Sequence, residues 1–120
     1  MARVVALVPD LLFGSKIHAA LTAAGHEVAL TGDEQEARAQ VPEADVLVVD
    51  LASGTVDGAA LVEAMRAADE LSGTRTLAFY SHVDVEVRER ALAAGFDLVV
   101  PRSRMNREGA DLVTRLAAGA

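Results

Sequence analysis

Five short apolar segments, spaced fairly evenly along the chain, constrain the fold more than any other feature of the sequence. They lie at Val4–Val8, Glu27–Leu30, Asp45–Val49, Thr76–Tyr80 and Asp97–Val100. The first, third and fifth contain uninterrupted runs of Val, Leu or Ala instead of alternating apolar and polar residues. Such runs are typical of strands that are buried on both faces, as in a parallel sheet.

Helical patterns separate these segments. They cover residues 17–24, 33–41, 61–68, 84–94 and 105–116. In the first of them, apolar residues recur at i, i+3, i+4 and i+7, the spacing of one helix face, and Gly25 follows as a stop signal. Asp57 and Asp84 stand where an N-cap residue is expected. Strand and helix thus alternate five times, and right-handed crossovers place helices on both faces of a parallel sheet.

Composition narrows the classes of protein to which the chain can belong. Its 120 residues suffice for one compact domain spanning residues 1–120. A net charge of −7 repels nucleic-acid phosphates and anionic membranes, so we expect neither as a partner. The absence of cysteine excludes disulfides and thiolate chemistry. No segment resembles a signal peptide or approaches the roughly 20 apolar residues of a membrane span, so we expect a cytoplasmic protein.

Four polar side chains follow predicted strands at their carboxyl ends. Asp10 follows the first strand, Asp50 the third, Ser81 the fourth and Arg102 the fifth. Because the carboxyl ends of the strands form the working crevice of doubly wound folds, we expect these side chains to converge. Two carboxylates attract a divalent cation such as Mg²⁺, a hydroxyl binds an anion, and a guanidinium supplies a fixed positive charge. Such a set is suited to accepting a phosphoryl group.

Each of these residues also has a simpler explanation. An Asp after a strand frequently caps the next helix, Ser81 is suited to a helix entry, and Arg102 is suited to a solvated surface. His82 is a further candidate for binding an anion at the crevice. The three histidines show no metal-ligand spacing, and no glycine-rich phosphate loop is present.

The residues around Asp50 resemble those of receiver domains of response regulators, and the similarity extends over nearly the whole chain. In that family the phosphate-accepting Asp ends the third strand, and an Asp-Gly pair stands seven and eight residues later, as Asp57 and Gly58 do here. Ser81 matches the Ser/Thr switch residue that follows the fourth strand in the family. Arg102 matches the position of a Lys that follows the fifth strand.

Several positions depart from the family pattern. Receivers carry two adjacent acids after the first strand, whereas this chain has Pro9-Asp10. Arg102 replaces the Lys, Ser53-Gly54 replaces a Met-Pro pair, and Val99 stands where an aromatic switch residue is usual. The loss of one acid weakens the expected metal site, and a guanidinium reaches differently from an ammonium group.

Together with the strand and helix pattern, the resemblance implies a doubly wound, flavodoxin-like α/β fold with five parallel strands in the order 2-1-3-4-5. It implies that Asp50 accepts a phosphoryl group from a phosphohistidine of a kinase, with Ser81 and Arg102 as its catalytic partners. It also implies that Asp10, Asp50 and the Ala52 carbonyl bind Mg²⁺.

Three classes of function stay open at this point. We expect a stand-alone receiver-like signalling domain, not an enzyme, that contacts a histidine kinase or another signalling protein, either with phosphorylation of Asp50 or as a degenerate receiver without it. A small-ligand module for a nucleotide or cofactor on the same fold is the alternative. A hydrolase using Asp10 and Asp50 is the third class, although no general base with a tuned pKa is evident.

Two surface features bear on protein contacts. The apolar residues Leu11, Leu12 and Phe13 follow Asp10, and we expect them to pack beneath the first helix; if exposed, they suggest a partner surface or a lid. The arginines Arg102, Arg104 and Arg107 cluster at the start of the last helix. They predict either a solvated helix start or a partner contact. The resemblance to receivers implies that such a contact, including a homodimer, forms through the fourth helix, fifth strand and fifth helix.

Overall fold

The computed structural model describes residues 1–81 and 84–119 of the chain. Its strands are β1 (Arg3–Leu7), β2 (Glu27–Thr31), β3 (Val46–Asp50), β4 (Arg75–Tyr80) and β5 (Leu98–Pro101). Its helices are α1 (Leu11–Ala23), α2 (Glu34–Gln40), α3 (Gly58–Ala67), α4 (Val85–Ala94) and α5 (Arg102–Ala117), with a 3-10 turn at Val41–Glu43. Each predicted apolar segment becomes a strand whose ends lie within one residue of the predicted ends.

The strands form one parallel sheet in the order β2-β1-β3-β4-β5, which confirms the predicted doubly wound, flavodoxin-like α/β fold. Strand β3 lies at the centre, and all five of its residues are buried. Strands β2 and β5 form the edges. Pro101, which has no backbone N–H to donate, ends the edge strand β5, where its missing donor is tolerated.

Helices cover both faces of the sheet. Helices α1 and α5 pack on one face, and α2, α3 and α4 pack on the other. Because side chains alternate along a strand, Val46 and Val48 of β3 enter the first core, whereas Leu47 and Val49 enter the second. Burial on both faces is therefore the physical reason for the uninterrupted apolar run in this segment.

Of the five α-helices in the described residues, four are capped by an aspartate at their start. Asp10, Asp33, Asp57 and Asp84 each accept a hydrogen bond from a backbone N–H in the first turn of α1, α2, α3 and α4. At the other end of α4, Gly95 adopts a left-handed backbone with φ 98°, which favours glycine. The caps predicted at Asp57 and Asp84 are confirmed. None of the described helices is long and apolar enough to cross a membrane.

Candidate functional site

The carboxyl ends of β1, β3 and β5 bring three of the four predicted site residues into one region. Asp50 is the last residue of the central strand, and its exposed fraction is 1%. Asp10 lies between β1 and α1, and Arg102 is the first residue of α5, directly after β5. The charges of Arg102 and Asp10 are both close enough to the Asp50 carboxyl group to affect its pKa.

The Asp50 carboxyl group is held in place by its own loop. Its Oδ1 accepts a hydrogen bond from the Ala52 backbone N–H at 2.7 Å. Burial raises the pKa of Asp50; the Ala52 N–H and the positive charge of Arg102 oppose this shift, and the negative charge of Asp10 adds to it. The structure thus places Ala52 against Asp50 through its N–H, and the role of its carbonyl as a metal ligand stays a prediction.

Asp10 performs two tasks at once. Its Oδ1 accepts a hydrogen bond from the Phe13 N–H at 3.1 Å, which caps α1. Its Oδ2 accepts one from Arg102 Nη2 at 3.0 Å. The Phe13 N–H, and next the Arg102 guanidinium, lower the pKa of Asp10, so this carboxyl group is ionised at neutral pH. The capping explanation is therefore confirmed for Asp10, and its role in a phosphoryl-accepting site stays a prediction.

Arg102 is held on a second side by an aromatic ring. Its guanidinium carbon lies 4.1 Å from the centroid of the Phe13 ring, a cation–π contact. The Phe13 ring in turn packs against Phe79 of β4, with centroids 5.1 Å apart and planes tilted by 59°. Sequence reasoning missed this role of Phe13, although an aromatic residue in the turn after Asp10 was the available signal.

Ser81 is the fourth predicted site residue. It follows β4 and is exposed, and its carbonyl accepts a hydrogen bond from the Asp84 N–H at 3.0 Å. Among the described residues it makes no hydrogen bond with Asp10, Asp50 or Arg102. Its role as a switch stays a prediction, and the proposal for His82 falls outside the described residues.

The expectation for the apolar residues after Asp10 is right for Phe13 and wrong for the two leucines. Phe13 is buried, whereas the exposed fractions of Leu11 and Leu12 are 84% and 83%. The reason is helix geometry, because α1 begins at Leu11 and its inner face carries Phe13, Ile17 and Leu21, which are four residues apart. Leu11 and Leu12 lie off that face and point to solvent beside the acidic residues.

The two remaining arginines of the predicted cluster pair with an acid on their own helix. Arg104 Nε lies 3.5 Å from Glu108 Oε2, and Arg107 Nη2 lies 3.7 Å from the same atom. Surface pairs of this kind contribute little to stability. The homodimer predicted through this surface stays a prediction.

The Asp10–Arg102 ion pair opposes binding of the Mg²⁺ ion that the resemblance implies at Asp10. Both oxygens of Asp10 already accept hydrogen bonds, one of them from a guanidinium that cannot lose its proton. Within the described ranges, no group of three His, Cys, Asp or Glu side chains is placed to hold a metal ion. The pair of carboxylates is thus partly neutralised by Arg102.

In fold, the chain is similar to receiver domains of response regulators. The receiver domain of Francisella response regulator 1452 superposes with a TM-score of 0.85 at 18% identity, covering 98% of both chains. Chemotaxis response regulator CheY4 of Vibrio cholerae superposes with a TM-score of 0.82 at 22% identity, covering 97% of this chain and 98% of that chain. A CheY-like receiver domain protein from Methanospirillum hungatei superposes with a TM-score of 0.82 at 16% identity, covering 99% of this chain and 95% of that chain.

The sequence itself matches no protein-family model and no curated protein. At these low identities the structural likeness establishes the fold and confirms the predicted resemblance at that level.

Replacing Asp50 with Asn is expected to stabilise the protein at pH 7 by roughly 1 kcal/mol, or about 4 °C in Tm. Burial raises the folded-state pKa of Asp50, so the folded state binds more protons than the unfolded state between the ordinary and the raised pKa. Wild-type stability therefore falls as pH rises through that interval. The gain in stability from Asp50→Asn should therefore be absent below the ordinary pKa of Asp and complete above the raised pKa of Asp50. Thermal unfolding from pH 3 to 8 measures it.

The matched control is Asp111→Asn, an exposed carboxyl group on α5. Its effect on Tm should be small, since exposed substitutions usually change stability by less than about 0.5 kcal/mol. A loss of stability in Asp50→Asn at pH 7 would contradict the prediction, because it would show that the surrounding groups offset the cost of burying the ionised Asp50 carboxylate.

Proposed function

We propose that the chain is a receiver-type signalling domain that acts through contacts with other proteins and does not require phosphorylation of Asp50. The receiver fold and the position of Asp50 at the end of the central strand support the first part. The partner class is a signalling protein such as a kinase. The net charge of −7 argues against nucleic acid as a direct partner.

The contacts of the acidic region, which Asp10 and Asp50 form, support the proposal that phosphorylation of Asp50 is not required. Arg102 donates to Asp10, so its charge is already shared with that carboxylate and is not reserved for a phosphoryl group at Asp50. Asp10 is the one acid after β1, where receivers have two. Two parts of the chemistry implied by the resemblance therefore differ from the family pattern.

The observation that carries the proposal is the exposure of Leu11 and Leu12 next to this region. Isolated apolar side chains on a surface need no explanation, but two neighbouring leucines at 84% and 83% exposure are a contiguous apolar feature. They sit in the first turn of α1, which Asp10 caps and ties to Arg102. We expect a partner protein to cover them with an apolar patch of its own.

Affinity capture from an extract of the source organism, quantified by mass spectrometry, tests the proposal. The wild-type chain should recover a signalling protein that the Leu11→Ser/Leu12→Ser double variant recovers at least roughly tenfold less, the loss expected when two leucine side chains no longer bury apolar area. The recovery should be the same with and without an acyl phosphate and Mg²⁺. The purified partner is then titrated against both chains.

Leu92→Ser on α4 is the matched control, because Leu92 is also an exposed leucine, at 45%, on a different helix. It should recover the partner as the wild type does. Equal recovery by the double variant would refute the leucine surface. A partner that appears only with the acyl phosphate would overturn the proposal and assign the signal to phosphorylated Asp50.

A further inference from the structure

The side chain of Arg102 occupies the part of the acidic region where a cation is expected. It donates to Asp10 Oδ2 at 3.0 Å and lies 4.1 Å from the centroid of the Phe13 ring. The ring is buried and rests on Phe79, so it gives the guanidinium a fixed surface to stack on. The planar, permanently charged guanidinium is suited to this double contact, whereas a lysine ammonium is not.

The charge balance of the region follows from this arrangement. Two carboxylates, Asp10 and Asp50, face one guanidinium, and the Asp10 oxygen that remains outside the ion pair already accepts the Phe13 N–H. Mg²⁺ demands near-octahedral oxygen ligands and repels a neighbouring cation. To bind Asp10, the ion must first displace Arg102 and break its contact with the ring.

We infer that Arg102 and divalent cations compete for Asp10, so that the acidic region is closed to Mg²⁺ while the Asp10–Arg102 ion pair is formed. The arginine is then an internal substitute for the metal. The inference rests on the proposed function only in treating Asp10 and Asp50 as the acidic region of a receiver-type domain. It predicts that deleting one positive charge creates a divalent-cation site.

Titration with MgCl₂ at constant ionic strength, followed by the ¹⁵N–¹H spectra of Asp10, Asp50 and Ala52, tests this inference. The wild type should show no saturation in the millimolar range. Even after solvent screening, Arg102→Ala should bind Mg²⁺ at least roughly tenfold more tightly, because a unit charge next to the ligand has been removed. Arg102→Met, which keeps the apolar stem over the ring, should give the same gain if Arg102→Ala fails to fold.

Arg104→Ala is the matched control. It removes the same charge two residues further along α5, where the arginine pairs with Glu108 and not with Asp10. Its Mg²⁺ affinity should equal that of the wild type, and adding Asp10→Asn to Arg102→Ala should abolish the new binding. Tight binding by the wild type, no gain in either Arg102 variant, or an equal gain in Arg104→Ala would overturn the inference. None of these outcomes affects the leucine comparison that tests the proposed function.

Discussion

Replacing Phe79 with Ala is expected to lower the free energy of unfolding by about 3–5 kcal/mol, the largest loss we predict for a single substitution. Phe79 is the largest side chain that is fully buried, with an exposed fraction of 0%. It lies opposite Asp50 in the β3–β4 register, and its ring packs on Phe13. Its removal therefore leaves a cavity beneath the ring that carries Arg102.

Chemical denaturation and thermal unfolding measure this loss, and Tm should fall by more than about 10 °C. If Phe79→Ala does not fold, Phe79→Leu keeps most of the apolar volume and should lose only about 1–2 kcal/mol. Leu92→Ala is the control, because its exposed leucine on α4 should change stability by less than about 1 kcal/mol. A loss below about 1 kcal/mol in Phe79→Ala would show that the core refills the cavity.

The fold was predictable because its main determinant is local in the sequence. The inner strands β1, β3 and β4 are buried on both faces. Such burial requires an uninterrupted apolar run, which is visible in β3 without any knowledge of its neighbours. The caps at Asp57 and Asp84 are similarly local, since an N-cap bonds a backbone N–H three residues ahead. These signals need no tertiary information.

The sequence predicted that Asp10, Asp50 and Arg102 share one edge of the sheet, but not the contacts that they make. The rule that strand carboxyl ends share one edge correctly grouped Asp10, Asp50 and Arg102. It could not predict that Arg102 bonds Asp10, because residues 92 positions apart meet only through the packing of α1 against α5. The stacking surface offered by Phe13 depends in turn on the buried ring of Phe79.

The exposure of Leu11 and Leu12 was mispredicted for a related reason. Hydrophobicity favours burial, but the position of a side chain on a helix depends on where the helix begins. Asp10 caps α1 so that the inner face starts at Phe13, and the two leucines before it are left outside. An apolar pair that the fold leaves in solvent beside the acidic residues is more informative about function than a buried pair would be.

Gly58→Ala is expected to destabilise the protein by about 1–3 kcal/mol, although alanine is the better helix former. A Cβ at position 58 would lie 2.5 Å from Val49 Cγ1 and 2.8 Å from Leu51 Cδ2. Gly58 begins α3, and its lack of a side chain lets the first turn pack directly against the residues on either side of Asp50. This is the physical reason for the glycine that follows Asp57 in the motif.

Urea denaturation of Gly58→Ala measures this effect, with Gly54→Ala, four residues earlier in the loop before α3, as its control. A Cβ at Gly54 meets no atom within 4 Å, so Gly54→Ala should leave stability nearly unchanged. Val49 belongs to a fully buried strand and has little room to move, so the strain should also displace Asp50, visible as a shifted Ala52 amide resonance. Unchanged stability in Gly58→Ala would mean that α3 shifts outward without a cost in free energy. An unchanged Ala52 resonance would mean that the loop after β3, and not α3, holds the Asp50 carboxylate in place.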